Sequence, residues 1–156
     1  MNTLSMKDSR DLRSEQERPA SDLMWQRLWF STMEKPWSSM AVVPADPDTS
    51  VEEVAAALAE IGHRCSSRPI SVVSACGVAT ADVQAVVAQI TSLSSRGEQV
   101  LVTFDSVLDH PAAIPILRVT TAALVVVRTG QSRLSSVRRL AELIGPERVR
   151  GSLVLE

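Results

Sequence analysis

A chain of 156 residues, 45% hydrophobic and 22% charged, holds enough apolar material for one domain with a true core. Its net charge of −2 hides a polarity, because beyond residue 110 seven arginines (Arg118, Arg128, Arg133, Arg138, Arg139, Arg148 and Arg150) face only Glu142, Glu147 and Glu156; spread over three elements and without interleaved aromatics, they read as a solvated face and exclude a nucleic-acid surface. No apolar run reaches the ~18 residues of a membrane span, and Cys65 and Cys76 fit neither a CxxC redox pair nor a four-ligand metal site.

Residues 1–20 are polar and hydroxyl-rich, lack apolar periodicity and a signal-peptide core, and read as a disordered leader to a single α/β domain over 21–156. Ser21 or Asp22 can cap a helix that carries Leu23, Met24, Trp25, Leu28 and Trp29 and ends before Pro36. This Trp-rich helix and its connector, 22–37, hold Trp25, Trp29, Phe30 and Trp37 of the chain's five aromatics; they either pack on their own domain or form a contact with another chain.

Five apolar runs follow, at 40–43, 70–73, 100–104, 124–127 and 153–155. Their continuous apolar character, without strict alternation, suits strands buried on both faces of a parallel sheet. Between them lie helical stripes: Val51, Val54, Ala55, Leu58 and Ile61; then Val83, Val86, Val87 and Ile90; then Leu134, Val137, Leu140, Ala141 and Ile144, stopped by Gly145 and Pro146. A shorter helix around HPAAIPILRV is broken by Pro115. The alternation predicts a doubly wound, mainly parallel, five-stranded α/β sheet flanked by helices, with right-handed crossovers.

The first strand-to-helix turn, PADPDTSV, contains no glycine and no lysine and gathers Asp46, Asp48, Glu52 and Glu53 within eight residues. Ser50 followed by Glu53 predicts a capping box, with Ser50 bonding the Glu53 amide and Glu53 reaching back. A phosphate-holding loop is the competing reading.

From Asp22 onward the chain resembles the bacterial tyrosine kinases and chain-length regulators of capsular and exopolysaccharide export, within the deviant P-loop ATPases of the MinD and ParA type. DLMWQRLWFSTMEKPW falls where those proteins have a helix rich in Arg and Leu before the first strand. SMAVVPADPDTSVEEVAAALAEIGHR falls on their first strand, phosphate loop and first helix. The stretch from VLVTFDS to the closing GPERVRGSLVLE follows their third strand onward and is the most specific part of the likeness. The resemblance implies a P-loop NTPase-like, Rossmann-like three-layer sandwich.

Carried over position by position, the family's functional residues are mostly absent. Its phosphate loop needs glycines, a lysine and a metal-binding hydroxyl. At the degenerate positions Asp46, Asp48, Thr49 and Ser50, only Thr49 and Ser50 are remnants, and the added acids would repel a triphosphate by roughly 1 kcal/mol per close pair. Ser74 and Cys76 stand where the family carries an aspartate-rich metal motif. Asp105 alone keeps a carboxylate at an acidic-motif position, and with no partner acid or lysine nearby in the pattern it reads as a strand-end cap of the next turn. Ser74, Asp109 and His110 make a candidate polar cluster at the carboxyl end of the sheet. There is no tyrosine, and no lysine after Lys35.

The expectation is therefore a pseudo-ATPase or pseudokinase with no catalytic residues, no ATP or magnesium cofactor and no metal site, a His63/Cys65 pair yielding to a loop histidine beside a half-buried thiol. It would be a cytoplasmic interaction or regulatory module, meeting the cytoplasmic part of a polysaccharide co-polymerase or exporter at the inner face of the membrane, or another copy of itself. Trp25, Trp29, Trp37, Arg138 and Arg139 are its candidate partner surface, with neither nucleic acid nor membrane insertion. The alternatives are a residual nucleotide-binding ATPase with an atypical site of arginines and Asp105, and a small-molecule binder around Ser74, Asp105 and His110.

Overall fold

Valine-rich runs bounded by turn residues form the strands of a fully parallel sheet in the computed structural model, which describes residues 2–6 and 18–156. The strands are β1 (Asn2–Met6), β2 (Ser39–Pro44), β3 (Ile70–Ser74), β4 (Gln99–Thr103), β5 (Ala122–Arg128) and β6 (Val149–Leu155), in the order β1-β6-β5-β2-β4-β3. Helices α1 (Arg18–Thr32), α2 (Glu52–Cys65), α3 (Val83–Ser95), α4 (Ile114–Val119) and α5 (Leu134–Ile144) complete a three-layer α/β fold.

Successive side chains of a strand point to opposite faces, and β2 divides its residues accordingly. Met40 and Val42 join a core with Trp29, Leu58, Leu101 and Leu124 beneath α1 and α2. Ala41 and Val43 join the other, with Ile90, Phe104, Ile116 and Leu140 beneath α3, α4 and α5. All six residues of β2 and all five of β4 are buried, which is why these runs are apolar without alternation.

The sheet has six strands where five are expected. The additional one, Asn2–Met6, lies within the expected leader and pairs in parallel with β6, from Asn2 beside Gly151 to Met6 beside Leu155. An edge ladder is made from backbone groups, so a five-residue segment with only Leu4 and Met6 apolar can join it with little apolar pattern to announce it. Helix α1 begins at Arg18, also inside that leader; residues 7–17 lie outside the described residues.

The tryptophans are not a partner surface. Trp25, Trp29 and Trp37 are 8%, 1% and 3% exposed, and Trp29 meets Trp37 edge to face with centroids 5.7 Å apart. Gly62 on α2 makes room for them: a Cβ there would lie 2.1 Å from Ile70 Cδ1 and 2.8 Å from the Trp29 ring. Phe30 and Leu23 are the large apolar groups α1 turns outward. Two further details differ from expectation. Pro115 sits in the first turn of α4, where its missing N–H costs nothing, so it starts the helix and does not break it. Arg148 is structural and not part of a solvated face, since its guanidinium donates to the carbonyls of Leu117 and Thr120 and closes the α4–β5 junction.

Candidate functional site at the carboxyl end of the sheet

The chain leaves β2 for β3 at one edge, returns to β4 between them, then crosses to β5 on the other side of β2. That reversal opens a crevice at the carboxyl end of β2, the position where open α/β sheets hold ligands. Three loops rim it: 45–51 after β2, 104–113 after β4, and 129–133 after β5.

The first loop is organised around Asp46, a carboxylate only 8% exposed. Thr49 Oγ1 donates to it at 2.9 Å, the Asp48 amide at 3.2 Å and Ser132 Oγ at 2.6 Å. Ser132 Oγ in turn accepts the Arg128 amide at 3.0 Å, so the β2–α2 and β5–α5 loops are tied through one buried anion. A buried carboxylate persists only when its lone pairs are taken in this way. The hydroxyl and amide donors of the loop are turned onto the protein's own acid.

The expected capping box is absent. Val51 occupies the cap position of α2 with no side-chain cap bond, and Ser50 is exposed. Val51 is 1% exposed and belongs to the core, and burying it turns the neighbouring Ser50 to solvent. Glu52 and Glu53 then compensate the positive end of the helix by charge alone. Beside this turn lies a cleft of about 220 Å³ whose ionisable lining consists of Asp48, Glu52, Asp105 and the Cys76 thiol, with no cation.

Asp105 serves as a strap between strands: its carboxylate accepts the amide of Gly77, whose φ of +63° is one that L side chains rarely adopt. Ser74 holds the same turn, accepting the Cys76 amide at 3.3 Å. Burial pushes the Cys76 thiol up; hydrogen bonds with Thr103 and Ser74 oppose this, and the Asp105 charge adds to it. Asp109 accepts Ser106 Oγ at 2.7 Å. Asp105, Asp109 and His110 do line one cleft, of about 680 Å³, but Ser74 is not among its walls. Among the described residues no three of His, Cys, Asp and Glu converge as metal ligands, and His63 and Cys65 are both exposed at the end of α2.

A third cleft, of about 380 Å³, opens between all three loops and the start of α5. Arg133 and Arg139 line it, while Arg138 is exposed on α5 outside it. Sequence pattern singled out Arg138 and Arg139 together; helical spacing separates them by about 100°, so that only one faces the crevice. Sequence reasoning does not single out Arg133 or Ser132, because the serines of QSRLSS offer ordinary caps; the structure instead places Arg133 at the cap of α5 with no side-chain cap bond.

No protein-family model matches the chain, and no curated protein matches it. Among solved structures it is similar to the crystal structure of the chimerical protein CapA2B2, with a TM-score of 0.75 over 97% of this chain and 92% of that one at 11% sequence identity. The two share the parallel, helix-flanked three-layer architecture along nearly their whole lengths.

Proposed function

We propose that this chain is a non-catalytic, P-loop-ATPase-like interaction or regulatory module of bacterial capsule or exopolysaccharide biosynthesis or export, acting at the inner face of the membrane through a protein partner. The fold shared with CapA2B2 supports the family relation, together with the order of elements from Asp22 onward and the GPERV pattern before β6. One observation carries the loss of catalysis: Asp46 draws in the Thr49 hydroxyl and the Asp48 amide, the groups that a phosphate loop offers to its ligand. A triphosphate entering there would also meet Asp48, Glu52 and Asp105 without a lysine to neutralise it.

Melting in the presence of millimolar magnesium and ATP tests this reading. Ligand at a hundred times its dissociation constant adds about 2.7 kcal/mol, a shift that is easily seen. The expected result is no shift; a shift that disappears in Thr49→Ala, or crystals with a triphosphate between Ala45 and Val51, would overturn the proposal.

A further inference from the structure

We propose that the 380 Å³ cleft between the three carboxyl-end loops is a docking site for an acidic peptide segment of a protein partner, whose carboxylates are taken by Arg133 and Arg139. The inference rests on the reading of the chain as an interaction module and gives that module a site and a partner chemistry. Three observations converge on it. First, among the described residues no carboxylate comes within ion-pair distance of Arg133 or Arg139, whereas Arg64 on α2 is paired with Asp22 and Glu60. Second, α5 is an eleven-residue helix that starts at the cleft, with Arg133 at its cap position and no side chain bonding its first amides, so its positive end is open to a ligand oxygen. Third, the cleft lies at the crevice where the strand order reverses.

The acids on the facing wall do not compete for the arginines. Asp46 is occupied by Thr49, Ser132 and the Asp48 amide, and Asp109 by Ser106. Asp109 is held by a donor of its own loop, and Asp46 by donors of its own loop and of the β5–α5 loop. They shape the wall and would disfavour a ligand carboxylate placed against them, which directs an anion toward the α5 side.

A peptide fits better than a small free acid because apolar groups flank the arginines. Leu108, 39% exposed, lines the cleft, and Leu134, 66% exposed, stands at the first position of α5 beside Arg133. A small dianion would leave both uncovered. An extended segment alternating acidic and apolar residues would place carboxylates on the two guanidiniums, where bidentate contacts are available, and its apolar side chains on the two leucines.

The test uses a fluorescein-labelled octapeptide of alternating glutamate and leucine and reads its anisotropy against the full chain. The double variant Arg133→Gln with Arg139→Gln should bind about tenfold more weakly or worse. Arg138→Gln removes a charge from the same helix outside the cleft and should stay within about twofold, with salt weakening the wild-type complex. All three positions are exposed, and unchanged melting of the variants shows that the fold is kept. An equal loss from Arg138→Gln and from either cleft variant alone would reduce the effect to net charge and overturn the site, as would undiminished binding in the double variant. Succinate or inorganic phosphate displacing the peptide at the concentration at which unlabelled peptide does so would make it a small-anion site and overturn the peptide assignment. A melting shift with ATP that survives the double variant would overturn the non-nucleotide reading while leaving the peptide result standing, so the two failures are distinguishable.

Discussion

Asp46 is the residue on which the carboxyl-end loops depend. Asp46→Ala leaves the Thr49 and Ser132 hydroxyls and the Asp48 amide without their acceptor, and should lower unfolding stability by about 2 kcal/mol in urea titrations. Asp46→Asn keeps one acceptor oxygen and should lose less. Equal stability of all three proteins would show the network to be incidental. Cys76 offers a pH readout. Its folded thiol titrates above its unfolded value, so the neutral form is favoured, and any stability it contributes is complete below the unfolded value and is lost as pH rises through the folded one. Iodoacetamide should therefore label exposed Cys65 first, and Cys76 of the folded protein should gain reactivity at higher pH than in urea; coincident pH profiles would contradict the assignment. Sequence exposed the composition of the acidic turn but misassigned its wiring. A capping box needs only local spacing, whereas the bond from Ser132 to Asp46 spans 86 positions and has no local signature.

At the scale of elements, α1 and α2 approach most tightly where Gly62 of α2 meets Trp29 of α1. Gly62→Ala drives a methyl into Ile70 Cδ1 and the Trp29 ring and should cost about 1–3 kcal/mol, although alanine has the better helix propensity by about 1 kcal/mol. A stabilised variant would mean that the tryptophan yields freely. Trp29→Ala at the same contact should cost about 3–5 kcal/mol as a cavity. The five apolar strands are legible as short continuous apolar runs and the stripes of α2, α3 and α5 by their helical period, but two members turn to solvent: Leu134 at the start of α5, and Val72 on β3, which lies at the sheet edge. The destination of α1 is not legible, since large apolar groups fall all round it; Trp25, Leu28 and Trp29 face inward while Leu23 and Phe30 face out, and only the position of α2 decides which face is buried. β1 was hidden for the opposite reason, having a backbone role and only the short pair Leu4 and Met6 as apolar alternation.

For the molecule as a whole, strand order separates what holds the fold from what rims the site. β2, β4 and β5 lie inside the sheet, buried between two helix layers, and their carboxyl ends carry the three loops of the crevice. β1 is added at the far edge, beyond β6, and touches none of those loops directly through its ladder. Its removal should consequently act first on that edge and on α1, which also contacts β1. Deleting residues 1–6 should leave one cooperative unfolding transition with a midpoint lower by about 2–4 °C for each kcal/mol the ladder supplies in a chain of this size. Hydrogen exchange should accelerate at the β6 amides that the β1 ladder covers and stay slow in β2 and β4, because local opening follows local burial. Binding of the glutamate–leucine peptide at the α5 cleft should be unchanged, since the β1 ladder runs along β6 and not along the strands whose loops form the cleft. Loss of the transition, or faster exchange spreading to β2, would show that the edge strand is required for the central sheet to form.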